Sequence, residues 1–205
     1  MSSLRDQLGG GRQGIPEFRL SLPTGWTMYD TSGATERALL DRAKVRLREV
    51  HKPEAYAALE SHVTAALAAA RKQGAFVMIM AGEDAPRWST VPISVLGTIT
   101  EGASGVSLDA MVADAVERRG ARALDGSRQF LRWTDRRSVE ISGETAGAYT
   151  VVYLTPVPGS GRTKAQQFTD TLVQSNENHT AEDPYMKSWL DLLDGHFLTF
   201  AWTGR

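Results

Sequence analysis

The sequence predicts an α+β fold, a sandwich of helices around a largely antiparallel central sheet. Segments near both ends of the chain, residues 18–26 and 196–202, alternate large apolar and polar side chains, which is the period of a half-buried strand. The predicted elements follow the order β-α-α-β-β-α-β-β-β-β-α-β, and this order lacks the strict alternation of a doubly wound parallel sheet. Three of the strands are joined by short turns, the pattern of an antiparallel meander.

In the N-terminal half, apolar periodicity and helix-end residues predict two consecutive helices between strands. The first strand covers residues 18–22. An apolar stripe at helical spacing predicts a helix over 34–50, and Pro53 is well placed to open a second helix over 53–72 that Gly74 caps. The remaining elements of this half are strands over 76–81 and 91–100 and a helix over 108–119 capped by Ser107.

In the C-terminal half, strands are predicted over residues 129–134, 138–144, 148–155 and 167–174. Turns at Asp135-Arg136 and Thr145–Gly147 separate the first three. Asp183-Pro184 opens the last helix with a cap followed by a first-turn proline, and Gly195 ends that helix. A closing strand reaches Trp202. We expect this strand and the first one to be built into the main sheet.

Length and composition indicate one globular domain without metal or redox chemistry. The chain has 205 residues, which is the size of a single domain. We predict a flexible, glycine-rich arm over residues 1–14 and one domain over 15–205. A net charge of -1 provides no basic surface for nucleic acid or an anionic membrane. The absence of cysteine excludes disulfides and thiolate metal sites, and we predict no cofactor.

The sequence also predicts a cytoplasmic protein that does not insert into a membrane. The N-terminal residues contain no apolar run of signal-peptide length, and no cysteine is present to carry a lipid anchor. No segment approaches the roughly 20 consecutive apolar residues that a membrane-spanning helix requires.

Three stretches of the sequence resemble the PsbP-like family. The segment F-R-L-S-L-P-T-G-W, starting at Phe18, is similar to the first strand of that family. The segment V-E-I-S-G-E-T-A-G-A-Y-T-V-V-Y-L-T-P-V-P, starting at Val139, resembles its central strands. The segment M-K-S-W-L-D-L-L-D-G-H-F-L-T-F-A-W, starting at Met186, is similar to its terminal helix and strand.

The resemblance covers roughly residues 16–202 and points to an actinobacterial or secretion-chaperone-like member. It implies the Mog/PsbP fold, an α/β/α sandwich in which helices flank both faces of an antiparallel sheet. It also implies a non-enzymatic binding protein. The family includes photosystem subunits, a Ran-binding nuclear import factor, actinobacterial envelope lipoproteins and chaperones of type VI secretion effectors. It implies no catalytic residue.

Other motifs in the chain have structural interpretations. Residues 159–164 are rich in glycine, but they lack the order of a phosphate-binding loop and precede a strand, so we expect a surface turn. The predicted helix over 34–50 interleaves basic residues with Glu36, Asp41 and Glu49, which favours a solvated amphipathic helix over a basic docking face. No histidine pair has the spacing of a metal site; the four are His51, His62, His179 and His196.

Two tryptophans in polar surroundings are the candidate binding residues. Exposed tryptophan beside arginine is typical of interface anchors. The candidate site comprises Trp88 with Arg87, and Trp133 with Arg132, Arg136 and Arg137. The alternative is that both tryptophans pack back onto the sheet.

These observations favour a non-enzymatic binding module with a protein partner. One alternative is a chaperone or adaptor that shields an apolar helix of a secreted effector. A second is an enzyme of unrecognised type, which would need a polar pocket with paired titratable groups. The sequence offers no evident pair of this kind.

Overall fold

The computed structural model describes residues 15–49, 53–82, 84–86, 93–103, 106–141, 144–174 and 184–204. The predicted N-terminal arm, residues 1–14, lies outside this part of the chain. Within it, helices flank a largely antiparallel sheet, which confirms the predicted α+β class. The strands are β1 (Phe18–Arg19), β2 (Trp26–Asp30), β3 (Val77–Ala81), β4 (Ile93–Glu101), β5 (Arg122–Ala123), β6 (Leu131–Ile141), β7 (Glu144–Pro156), β8 (Lys164–Gln174) and β9 (Ala201–Trp202). The helices are α1 (Gly33–Glu49), α2 (Pro53–Lys72), α3 (Asp109–Arg119) and α4 (Pro184–Phe197).

The main sheet has seven strands in the order β2-β3-β4-β8-β7-β6-β5, and every neighbouring pair is antiparallel. Its centre is the long β6–β7–β8 meander. The predicted turns at Asp135-Arg136 and Thr145–Gly147 are wrong, because these residues pair across β6 and β7 in continuous register. Ladder hydrogen bonds over the whole length of both strands outweigh the local turn preference of these polar residues.

The terminal strands lie outside the main sheet, so the expectation that both are built into it is wrong. Within the described part of the chain, β1 and β9 pair only with each other, in a two-stranded ribbon that places Phe18 opposite Trp202. Their aromatic side chains nevertheless enter the core of the domain. Phe18 and Phe200 are buried and stacked, with ring centroids 5.2 Å apart. The alternation in the sequence therefore indicates burial correctly but not the pairing partner.

Each face of the main sheet has its own apolar core. On one face, α4 and the β1–β9 ribbon cover what we call the main core, which contains Tyr153, Phe168, Leu193 and Phe197. α4 extends to Phe197 and includes Gly195, where the sequence predicted its end. On the other face, α3 covers a smaller cluster, the α3 core, formed by Leu108, Ala115, Ala121, Trp133, Val152, Leu154 and Ala165.

α1 and α2 form a helical hairpin inserted between two strands that are neighbours in the sheet. β2 and β3 are antiparallel, and Asp30, the last residue of β2, pairs with Val77, the first residue of β3. The chain leaves the sheet after Asp30 and returns to the same place. The Ser32 hydroxyl starts α1 as an N-cap by accepting a hydrogen bond from the Thr35 amide, 3.2 Å away.

Candidate functional site

Trp133 is a core residue, and its interpretation as an exposed interface anchor is wrong. Only 6% of its surface is exposed, and it packs in the α3 core with Leu108 and Val152. The reason is the two-residue period of β6, which turns Leu131 and Trp133 toward the face that α3 covers. For Trp133, the alternative interpretation is correct: the tryptophan packs back onto the sheet.

The predicted binding surface is not assembled around this tryptophan. Arg132 points to the opposite face of β6, where its Nε donates to Asp194 Oδ1 at 3.1 Å. The Arg136 guanidinium is exposed and lies 5.6 Å from the centre of the Tyr149 ring, a cation–π distance. The side chain of Arg137, and all of Arg87 and Trp88, lie outside the described residues. A binding role for these three and for Arg136 stays a prediction.

Arg132 belongs instead to a charged cluster that holds α4 on the sheet. Asp194 projects from α4 and accepts two hydrogen bonds on Oδ1, from the Tyr153 hydroxyl at 2.5 Å and from Arg132 Nε. The side chains of Arg132 and Asp194 are 12% and 27% exposed. Such charge-assisted bonds are stronger than neutral ones, so β6, β7 and α4 are tied together at one point.

Asp170 lies on the same face of the sheet as this cluster, on β8. It has 0% exposure, and neither carboxyl oxygen finds a hydrogen-bond partner among the described residues. Burial raises its pKa well above the ordinary value, and the Asp194 charge raises it further, while Arg132 acts in the opposite direction. Burial also raises the pKa of Tyr153, with added contributions from Asp170 and Asp194, so that its hydroxyl remains a donor.

The cluster is closed rather than open to a substrate. Tyr153 and Asp170 have no exposed surface, so an external molecule cannot reach their oxygens in this conformation. Across the described residues, no group of three or more histidine, aspartate or glutamate side chains is positioned to hold a metal ion. The arrangement can therefore anchor α4 on the sheet, with Tyr153 and Asp170 shielded from solvent.

Sequence reasoning missed this cluster, although two signals in the sequence mark it. Asp170 is separated by two positions from both Phe168 and Leu172, so the strand period places all three on the buried face. Asp194 follows Leu190 by four residues and therefore lies on the apolar stripe of α4. In both elements, the sequence signal for the cluster is a carboxylate at a position that faces the core. Their proximity, however, depends on how α4 is docked.

The α1–α2 hairpin forms the second candidate site, and it is exposed. None of the residues of α1 is buried. Among residues 55–72 of α2, burial is confined to Leu67 and Ala70, near its C-terminal end. Apolar side chains remain in solvent on both helices: Val45 is 58% exposed and Leu59 is 37% exposed. An amphipathic helix pair of a monomeric domain normally buries more than this against the sheet.

Polar contacts fix the base of the hairpin where it leaves the sheet. The Thr31 hydroxyl donates to the Ala75 carbonyl at 2.7 Å, linking the two points where the chain departs and returns. Arg71 of α2 pairs with Glu36 of α1 at 2.8 Å and also donates to the Thr31 carbonyl. The hydrogen bond from Arg71 is the main reason that the pKa of Glu36 lies below its ordinary value.

An open groove lies along α1, beside the segment after β3. Its volume is about 550 Å³ and it is lined by Asp41, Arg42, Val45, Arg46, Glu49 and Asp84. Asp84 comes from the segment after β3, which lies close to the turn before β2. A Cβ at Gly25, which has a φ of 79°, would lie 2.3 Å from the Ala85 Cα. The side chains that line the groove carry charges of both signs and include one exposed apolar residue, Val45.

Comparison with known proteins identifies no family for this chain. No family model matches it, and no curated protein matches it. A solved structure described as LpqN, involved in cell envelope biogenesis of Mycobacterium tuberculosis, is similar at 11% sequence identity and a TM-score of 0.46, over 93% of this chain and 86% of that chain. This likeness is too distant to assign a family. The resemblance to the PsbP-like family stays a prediction.

Proposed function

We propose that this protein is a non-enzymatic binding module that engages a protein partner through its α1–α2 hairpin. The observation that carries the proposal is the absence of any buried residue in α1, a helix of 17 residues. A helix gains most of its stability from packing of an apolar face, and within the described residues α1 packs mainly against α2. A partner that covers Val45 and the charged rim of the groove would supply the missing contacts.

A binding role fits these surfaces better than catalysis. The hairpin groove presents Arg42, Arg46, Asp41 and Glu49 around one apolar side chain, the mixture of an apolar centre and a polar rim that is typical of protein interfaces. In the charged cluster, Tyr153 and Asp170 have no exposed surface. We further propose that the module is of the PsbP-like type and acts in the cytoplasm. No helix within the described ranges has the length and apolar character needed to cross a bilayer.

The second candidate is a chaperone or adaptor for a secreted effector. The exposed apolar side chains of Val45 and Leu59 favour it, since a client helix could bury them together with its own apolar face. The two candidates differ in the occupant of the hairpin. A chaperone holds the amphipathic helix of an exported client, whereas a binding module engages a folded partner.

The topology permits a direct test of the hairpin. Because Asp30 pairs with Val77, an Asn-Gly turn joining Thr31 to Phe76 would replace α1 and α2 by a tight β-hairpin and keep the register of β2 and β3. We expect this variant to fold with the main sheet intact and to lose its partner. A folded variant that binds the partner as well as the wild type would refute the proposal.

Point substitutions identify the contact surface and the partner. A photo-crosslinking amino acid at Val45 in the native cell should give one discrete adduct, whereas the same group at Val116, 48% exposed on α3, should not. The partner protein captured in this adduct can then be purified. Val45→Asp should weaken its binding at least tenfold, because the substitution places an unpaired carboxylate in the centre of the interface. Equal affinity of wild type and Val45→Asp would exclude the hairpin as the site.

A further inference from the structure

Asp170 has an environment that suits a neutral carboxylic acid and not a carboxylate. It pairs across the sheet with Val95 on β4 and with Val151 on β7, both of which belong to the main core. Its two carboxyl oxygens are buried and have no hydrogen-bond partner in the described part of the chain. An ionised carboxylate in such a place lacks both water and a donor, which makes it strongly unfavourable.

The charged and titratable groups that face Asp170 come from three elements. α4 contributes the Asp194 carboxylate, β7 the Tyr153 hydroxyl and β6 the Arg132 guanidinium. Arg132 and Tyr153 both direct hydrogen bonds to Asp194. An ionised Asp170 would therefore meet a second negative charge on α4, while the nearby cation is bonded to that second carboxylate.

We propose that Asp170 and Asp194 form a proton-dependent latch, in which α4 is seated on the sheet while Asp170 is protonated and loosens when Asp170 loses its proton to solvent. The step breaks the O–H bond of the Asp170 carboxyl and transfers that proton to water, forming hydronium; no other covalent bond is made or broken. The resulting carboxylate repels Asp194 and gains hydration when α4 moves away. This inference concerns the α4 face of the sheet and does not depend on the hairpin.

Loosening of α4 would uncover a large apolar surface. Phe197 stacks on the Tyr153 ring, with centroids 3.8 Å apart, and also contacts Phe168. Leu190 and Leu193 lie in the same core. The latch thus controls whether the aromatic face of the sheet is covered by the protein's own helix.

The pH range follows from the direction of the Asp170 shift. Its pKa in the folded protein is raised above the ordinary value of 3.8. Protonated Asp170 therefore stabilises the closed state fully below about pH 4, and this stabilisation is lost as the pH rises through the pKa of Asp170 in the folded protein. Over that interval, each pH unit should multiply the equilibrium constant for opening of α4 by about ten.

Hydrogen exchange of the full chain, measured by mass spectrometry between pH 5 and pH 9, tests the latch. After correction for intrinsic exchange rates, α4 peptides of the wild type should open increasingly with pH relative to those of Asp170→Asn, since His196 contributes equally to both, and peptides of α3 should not. Asp170→Asn removes the titrating group without changing the shape of the side chain, so α4 should stay protected at high pH. Asp191→Asn is the matched control on the exposed face of α4, and it should behave as wild type.

Identical pH profiles of α4 in the wild type and Asp170→Asn would overturn the proposal. A measurement on the unmodified protein covers the case in which the variant does not fold. The carboxyl-carbon NMR shift of Asp170 should show that this group stays protonated to a higher pH than the exposed aspartates of the same protein. An Asp170 that ionises at the same pH as exposed aspartates in the folded protein would equally overturn it.

Discussion

Phe200 joins the terminal ribbon to the main core, and its replacement by alanine should destabilise the protein strongly. The side chain is 3% exposed. Its ring lies 5.1 Å from Phe130, 5.2 Å from Phe18 and 5.0 Å from Trp202, measured between centroids. Phe200→Ala would remove these contacts and a fourth with Phe168 at 5.9 Å, and would leave a cavity between the ribbon and the sheet.

The size of the effect follows from the burial of the ring. Truncation of a fully buried phenylalanine costs about 3–5 kcal/mol of unfolding free energy, and the total for a domain is about 5–15 kcal/mol. In a protein of about 150–250 residues, each kcal/mol lowers the melting temperature by about 2–4 °C. Phe200→Ala should therefore melt roughly 6–20 °C below the wild type.

Thermal and urea unfolding, followed by circular dichroism, measure this difference. Leu198→Ala is the matched control, since Leu198 lies two positions away and is 53% exposed. Its replacement should change the unfolding free energy by less than about 0.5 kcal/mol. If Phe200→Ala and Leu198→Ala were equally stable, the ribbon would not contribute to the core, and the reasoning would be wrong.

Three further substitutions test the polar groups of the fold. Tyr153→Phe should lower the unfolding free energy in urea by about 1.5–3 kcal/mol, because Asp194 loses a donor to its charged carboxylate; an unchanged midpoint would contradict this. Thr155→Val should raise it by about 1 kcal/mol, since the buried Thr155 hydroxyl has no partner among the described residues; a loss of stability would reveal a partner. Burial lowers the pKa of His196 below 6.5, partly offset by its Nδ1 hydrogen bond to the Ser21 carbonyl. The neutral form of His196 stabilises the protein fully above about pH 6.5, and this stabilisation is lost as the pH falls through the pKa of His196 in the folded protein. The unfolding free energy of His196→Asn should therefore fall less steeply in acid than that of the wild type. Parallel pH profiles of the two proteins would contradict this prediction.

The sequence predicts the helices well because their signals are local. α2 begins at Pro53 and ends at Lys72, as predicted, and α1 differs from its prediction by one residue at each end. Proline in the first turn of α2 and glycine after its last turn act within a few residues of the helix ends. No distant contact is needed to read them. Two predicted helix-end signals are wrong: Leu108 and not Ser107 is the N-cap residue of α3, without a capping side-chain hydrogen bond, and α4 continues past Gly195 to Phe197.

Strand partners and the charged cluster depend on distant contacts and were missed for that reason. The turn signal at Asp135-Arg136 is local, but pairing of β6 with β7 overrides it. Trp133 was interpreted from its arginine neighbours, although adjacent strand residues face opposite sides of a sheet. Asp170 and Asp194 are brought together only when α4 docks, and no sequence pattern specifies that packing.

The β1–β9 ribbon also determines the order in which the protein can fold. Strands β6, β7 and β8 are consecutive in the chain, so their pairing closes short loops and can form early. Phe18 and Trp202 lie near the two ends of the described chain, so their pairing closes the longest loop. The ribbon is therefore a late-forming seam. Until it closes, the side of the main core that the ribbon covers stays open to water.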